Sequence, residues 1–231
     1  EDRSQYFSTV NNEIWGFTKI KNQYWVNDIS YIFSNERNLN PFDIIVNMQQ
    51  SEGFSKISFT GNYRITYRGR RGLDVRLFYG TFLSDDGFST RFGFGISGSS
   101  DYLYDQVFWG RSESTGWMSK QLTANDGAFK SFLGIPLTNK WLIAVNLTSS
   151  TIKKFPIKVF ADAGYSPEMK SPAFDGGVLF SLVPGKIEVF LPLYQSSFPG
   201  IPKKIEYPQA IRFVFNIGTI NPYEVARTIQ L

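Results

Sequence analysis

The sequence predicts an all-β fold, a transmembrane antiparallel up-and-down β-barrel of about ten to twelve strands, on three observations. One stretch alternates apolar and polar side chains without a slip for about thirteen residues, and the candidate strands recur at a spacing too wide for a soluble sandwich. In addition, 17% of the chain is aromatic, with 22 Phe, 12 Tyr and 5 Trp, a content that favours strands over helices.

The alternating stretch covers residues 56–68. Ile57, Phe59, Gly61, Tyr63, Ile65 and Tyr67 share one face, and Lys56, Ser58, Thr60, Asn62, Arg64, Thr66 and Arg68 the other. Strands of globular proteins run about five or six residues, whereas a tilted membrane-crossing strand needs about 9 to 11. Its length therefore points to a membrane wall. Beyond a turn at 69–72, Leu73, Val75, Leu77, Tyr79 and Leu83 oppose Asp74, Arg76 and Gly80, with Phe78 and Phe82 blurring the second face.

The remaining candidate strands are 12–22, 23–34, 42–50, 89–98, 102–112, 140–149, 155–164, 174–183, 186–194 and 209–219. Turn-forming residues separate them at 38–41, 51–53, 85–87, 98–101, 184–185 and 199–202. Segments 113–127 and 195–208 read as the longer loops. In the last strand Ile211, Phe213, Phe215 and Ile217 oppose Arg212, Asn216 and Gly218, with Val214 as the exception. Asn221 can then cap, and Pro222 open, a short helix. This divides the chain into a barrel over 1–220 and a helical tail over 221–231. About twelve strands in 231 residues leaves roughly 19 residues for each strand and its turn, as a membrane barrel requires. Trp15, Tyr24, Trp25, Tyr63, Tyr67, Tyr79, Trp109 and Trp141 fall near strand ends, where interfacial girdles form.

Composition narrows the chemistry. With no cysteine and no histidine, the chain has no disulfide, thiolate nucleophile, imidazole base or imidazole metal ligand, so it is expected not to be an enzyme and to carry no cofactor. The net charge of +4 is mild and the basic residues are dispersed, which argues against a nucleic-acid partner. The densest basic group, Arg68, Arg70 and Arg71, sits at a glycine-flanked hairpin tip. No apolar run is long enough for a membrane-spanning helix. No hydrophobic signal segment follows the polar first residues, so an exported chain would have lost a leader or be a piece of a longer polypeptide.

Several charges are candidates for function. Arg64, Asp74, Arg76, Glu188 and Arg212 fall on nominally polar strand faces and would sit in a narrow lumen. Asp101, Asp105, Arg111 and Glu113 would form a polar cluster at a barrel mouth, gripping a ligand or partner domain or pairing neighbouring strands. Asp162, Asp175 and Glu188, on successive strands, are carboxylates of the kind that hold calcium, but they also suit ordinary strand ends. Gly93, Gly95 and Gly98 lack the following helix and lysine of a phosphate loop. They suit places where a barrel interior is crowded or bent.

Five segments carry a family resemblance: 101–111 (DYLYDQVFWGR), 139–146 (NKWLIAVN), 155–164 (FPIKVFADAG), 186–193 (KIEVFLPL) and 211–216 (IRFVFN) before Asn221-Pro222. Together they resemble the C-terminal region of large Bacteroidota proteins of the gluzincin metalloaminopeptidase type, in which a peptidase-like ectodomain precedes an outer-membrane β-barrel. The resemblance covers about residues 72–231. It implies a bacterial outer-membrane location and a barrel joined to, or derived from, a larger polypeptide. It transfers no active site, because the peptidase signature needs two histidines that this chain lacks. The final Leu231 also departs from the terminal aromatic usual in such barrels.

The functional expectation is an outer-membrane barrel that acts as a membrane anchor or interaction scaffold. Its partners would be outer-membrane lipid and a protein partner or covalently linked extramembrane domain. A narrow channel or ligand-transporting barrel is the alternative within the membrane. A soluble lipocalin-like binding barrel, with its apolar face inward, is the alternative outside it.

Overall fold

The structure is a computed structural model that describes residues 2–11, 14–23, 25–67, 71–85, 92–98, 116–150, 156–183, 186–196, 205, 207 and 209–215, with backbone alone for 2–11 and 14–23. Eleven strands are present among them: β1 (Asp2–Asn11), β2 (Ile14–Gln23), β3 (Asn27–Asn35), β4 (Phe42–Ser51), β5 (Phe54–Thr66), β6 (Gly72–Asp85), β7 (Trp141–Ser150), β8 (Ile157–Tyr165), β9 (Ala173–Val183), β10 (Ile187–Gln195) and β11 (Arg212–Phe215). β1 and β2 pair as a two-stranded sheet. The other nine form one antiparallel up-and-down sheet in chain order, from β3 at one edge to β11 at the other. The two edge strands do not pair with each other, so the described sheet is open where a closed barrel was expected.

Nine of the twelve expected strands up to the last coincide with β2 to β10 to within a few residues. β1 was not expected. The expected strand 209–219 is realised as the four-residue β11, its remainder lying outside the described residues. Segment 102–112 and the tail 221–231 also lie outside them. Residues 92–98 are a correction: their described part forms no strand, only a short turn and one isolated bridge between Phe94 and Thr138. Here the glycines allow close packing of backbone on backbone instead of a ladder. Gly98 has φ of 95°, a left-handed conformation that suits glycine, and a Cβ at Gly95 would overlap the Gly98 carbonyl.

The register separates the two faces of the large sheet. On one face, Tyr31, Val46, Phe59, Tyr79, Ile143 and Tyr165 stand side by side across β3 to β8. In the next such row are Phe33, Ile44, Gly61, Leu77, Val145, Ala163 and Phe174. This face is bare: Ile29, Tyr31, Leu77, Tyr79, Ile143, Val159 and Leu182 are all exposed. The opposite face is covered by the described parts of the β6–β7 connection, residues 92–98 and 121–138. Phe94, Ile96, Phe129 and Leu133 from that connection pack with Phe78, Leu142, Ala144, Met169 and Ala173 into the main apolar cluster.

The two ends of the sheet differ in their connections. At one end the strands are joined through 36–41, 67–71, 151–156 and 184–186, and at the other through 52–53, 86–140, 166–172 and 196–211. The covering segment thus enters from the end with the longer connections. Phe129 is fully buried whereas nearby Phe132 is 74% exposed. Phe129→Ala is therefore expected to lower unfolding free energy by about 3–5 kcal/mol through the cavity it leaves, and Phe132→Ala to change it by no more than about 0.5 kcal/mol. Equilibrium denaturation of the two variants checks this.

Candidate functional site

The covered face carries a polar row that crosses eight strands. Ser34, Asp43, Asn62, Arg76, Asn146, Asp162, Asp175 and Gln195 are successive cross-strand neighbours from β3 to β10. Period-two alternation puts each on the same side as the apolar cluster, and Asn146, Asp162 and Asp175 are buried there, where a polar group needs a partner.

Residues 126–131 supply several of those partners. Arg76 Nη1 donates to the Asp126 carbonyl at 2.7 Å and to Asn146 Oδ1 at 3.0 Å. Asn146 Nδ2 donates to the Gly127 carbonyl at 2.9 Å. Lys130 donates to Asp162 twice, through its amide (3.2 Å) and its ammonium (2.7 Å), and the Ser131 amide donates to Asp175 at 2.6 Å. The segment therefore crosses the strands from β6 to β9, meeting one member of the row after another. An irregular buried segment has no ladder to satisfy its amides and carbonyls, and here side chains of the wall do so. Asp126 and Ala128 adopt φ of 45° and 50° to make the crossing. A Cβ at Gly127 would overlap the Ile96 carbonyl.

Asp162 and Asp175 stand directly opposite each other across β8 and β9, an unfavourable pairing of like charges beside which Lys130 supplies the compensating cation. The Asp162 side chain has no solvent exposure and that of Lys130 is 11% exposed. Among the described residues Asp175 Oδ1 and Ser131 Oγ are buried without hydrogen-bond partners. Lys56 forms a second buried contact, donating to the Phe92 carbonyl at 2.6 Å with the Phe94 ring 4.8 Å away.

Toward the end with the shorter connections, the covered face bounds an open cavity of about 790 Å³. Arg64, Asp74, Arg76 and Glu188, expected to share a lumen, all line it, as do Asp43, Lys130 and Lys158. Arg64 and Asp74 are opposite one another and paired at 2.8 Å. Glu188 accepts from Ser181 at 2.7 Å and lies 4.0 Å from Lys158. Arg212, on β11, donates to the Gln121 carbonyl at 3.2 Å. The cavity lining thus carries both signs of charge, several of them already paired.

Of the residues considered for calcium, Asp162 and Asp175 come together, but Glu188 engages Ser181 and Lys158. Among the described residues no group of three acidic side chains is placed to hold a metal ion. Asp101, Asp105, Arg111 and Glu113 lie outside the described residues. Sequence reasoning missed Lys130, Asp126 and Asn146. A signal for Lys130 existed in the lone charge within the apolar run 128–133 (AFKSFL).

Asp162→Ala leaves the Lys130 ammonium buried without its partner and is expected to destabilise the protein by about 3–5 kcal/mol. Asp74→Ala breaks a pair whose members are 37% and 39% exposed, and about 0–1 kcal/mol is expected. A double-mutant cycle over Lys130 and Asp162, compared with one over Arg64 and Asp74, measures the contrast. Compared with known protein families, curated proteins and solved structures, the chain matches none.

Proposed function

We propose that the chain is the wall of an outer-membrane β-barrel that anchors, or offers a scaffold to, a linked extramembrane domain or protein partner. The observation that carries this reading is the distribution of residues between the two faces. The bare face is lined by apolar and aromatic side chains over most of its strands, while the charges lie on the covered face. A sheet wall facing hydrocarbon needs that arrangement, with backbone groups satisfied by neighbouring strands and polar side chains turned away from lipid. A lipocalin-like protein would put its apolar face inward, the reverse of what the rows present.

Strand lengths support the same reading, since β4 to β9 run from 9 to 14 residues against the 9 to 11 or so that span a bilayer. No helix among the described residues is long and apolar enough to cross a membrane. The resemblance of β7, β8, β10 and β11 to the barrel regions of large Bacteroidota proteins with a preceding ectodomain supports an anchoring role. A channel is the weaker reading, because Phe129 and Leu133 are fully buried on the covered face, so side chains occupy part of the space a channel would need.

The protein is expected to need detergent and to show heat-modifiable mobility on gels; a monodisperse monomer in plain buffer would sink the proposal. Leu77→Arg supplies a sharper test, because Leu77 is exposed on the bare face. In lipid the substitution is expected to weaken folding into vesicles by up to about 2–4 kcal/mol, whereas a face in water would accept it with little change. In planar bilayers the native chain is expected to give no stable conductance.

A further inference from the structure

The two edges of the nine-strand sheet are treated differently. β11 begins with a charge and is flanked by residue 121 in an isolated parallel bridge with Phe213, next to which the Leu122 amide donates to the Phe213 carbonyl at 2.8 Å. Charge and cover are usual protections of a free edge. β3 has no covering segment among the described residues, and its one charge, Asp28, is turned toward β4, where Asn47 and Gln49 donate to it. β3 is nine residues long with no proline, lysine or arginine, and its ladder with β4 runs without a bulge. Eight of its nine residues are exposed, including Ile29 and Tyr31 on the bare face and Ile32 on the other, each by more than 60%. The apolar rows of the bare face therefore stop abruptly at a lightly protected edge. Such an edge is a template for another strand.

The chain carries a matching strand next to it. β2 ends at Gln23 and β3 begins at Asn27, so three residues separate them, a length that suits an antiparallel hairpin. β2 is ten residues long, close to the nine of β3. Its pairing with β1 uses one edge and leaves the other free, and a lone two-stranded hairpin is marginally stable. Every consecutive pair of strands from β3 to β11 is already joined edge to edge. We propose that β2 adds to the free edge of β3, carrying β1 with it, so that the described strands form one eleven-strand meander in chain order. The pairing does not depend on the membrane reading and is expected in detergent or in buffer alike.

The absence of native cysteine makes cross-linking clean. Tyr31→Cys is combined with a single cysteine at one of positions 17 to 21, under mild oxidation of the full chain. Tyr31→Cys with Val46→Cys, neighbours in the existing ladder, is the positive control. At least one of the five pairs is expected to close within the monomer to an extent similar to the control. Amide exchange by NMR on the unmodified chain gives an independent reading: all amides of β3 are expected to be protected at least tenfold over free peptide. Cross-linked dimers in place of monomers would assign the edge to a second copy. Alternate β3 amides exchanging at free rates, or no intrachain product at any of the five positions, would leave the edge open; each result overturns the proposal.

Discussion

The Asp162 carboxylate, wholly withdrawn from solvent, is the constraint on which much of the interior depends. A buried carboxylate must be met by donors or the fold loses several kcal/mol, and Lys130 meets it with both its amide and its ammonium. Holding one residue by main chain and side chain together fixes the direction of the backbone there. Residues 126–131 are then obliged to run across the strands, which brings Asp126 and Gly127 to Arg76 and Asn146 and turns Phe129 into the apolar cluster. Close approach follows: Gly127 lies against the Ile96 carbonyl, and Gly164 against Ile96 and Phe129, where a Cβ would meet atoms at 3.0 Å or less. Polar bonding and apolar packing in this region are therefore one arrangement.

How legible this was from sequence depended on whether the signal was periodic. β5 alternates cleanly and β6 nearly so, with Phe78 and Phe82 as exceptions, so their faces and their pairing around 67–71 could be read directly, as could the membership of Arg64, Asp74, Arg76, Glu188 and Arg212 in a polar face. What alternation cannot reveal is which face is covered, because the pattern is the same either way. Nor can it distinguish a strand from a segment that folds back across one. Phe92, Phe94 and Ile96 alternate with glycine and serine like strand residues, yet Phe94, Gly95 and Ile96 bond through their backbone to Thr138, Gly127 and Phe129, other parts of the covering segment. Lys130 and Asp126 were hidden for a related reason: they act from irregular backbone, where no period marks an inward direction. β1 escaped because its mixed polar composition, DRSQYFSTVN, gives no sustained alternation.

The buried charges also bear on what the interior could do chemically. Arg76 is tied to a carbonyl and an amide, Lys130 to a carboxylate, and Glu188 to a hydroxyl. Arg76 and Lys130 thereby hold the covering segment in place, and none of the three is free to act on a ligand without first giving up those bonds. The Arg64 and Asp74 pair is different: it is half exposed, lies at the cavity, and can exchange its contact for water at little cost.

The unequal connections at the two ends of the sheet give the molecule a direction. The cavity opens toward the short connections, and its walls include Leu122, Thr123, Ala128 and Lys130 of the segment that arrives from the opposite side. A water-soluble reagent entering there would reach Arg64 and Asp74 early and would be stopped at residues 122–130, short of the aromatic packing around Phe94. Reactivity toward such a reagent would be greatest at the half-exposed Arg64 and Asp74 and least at the aromatic packing around Phe94.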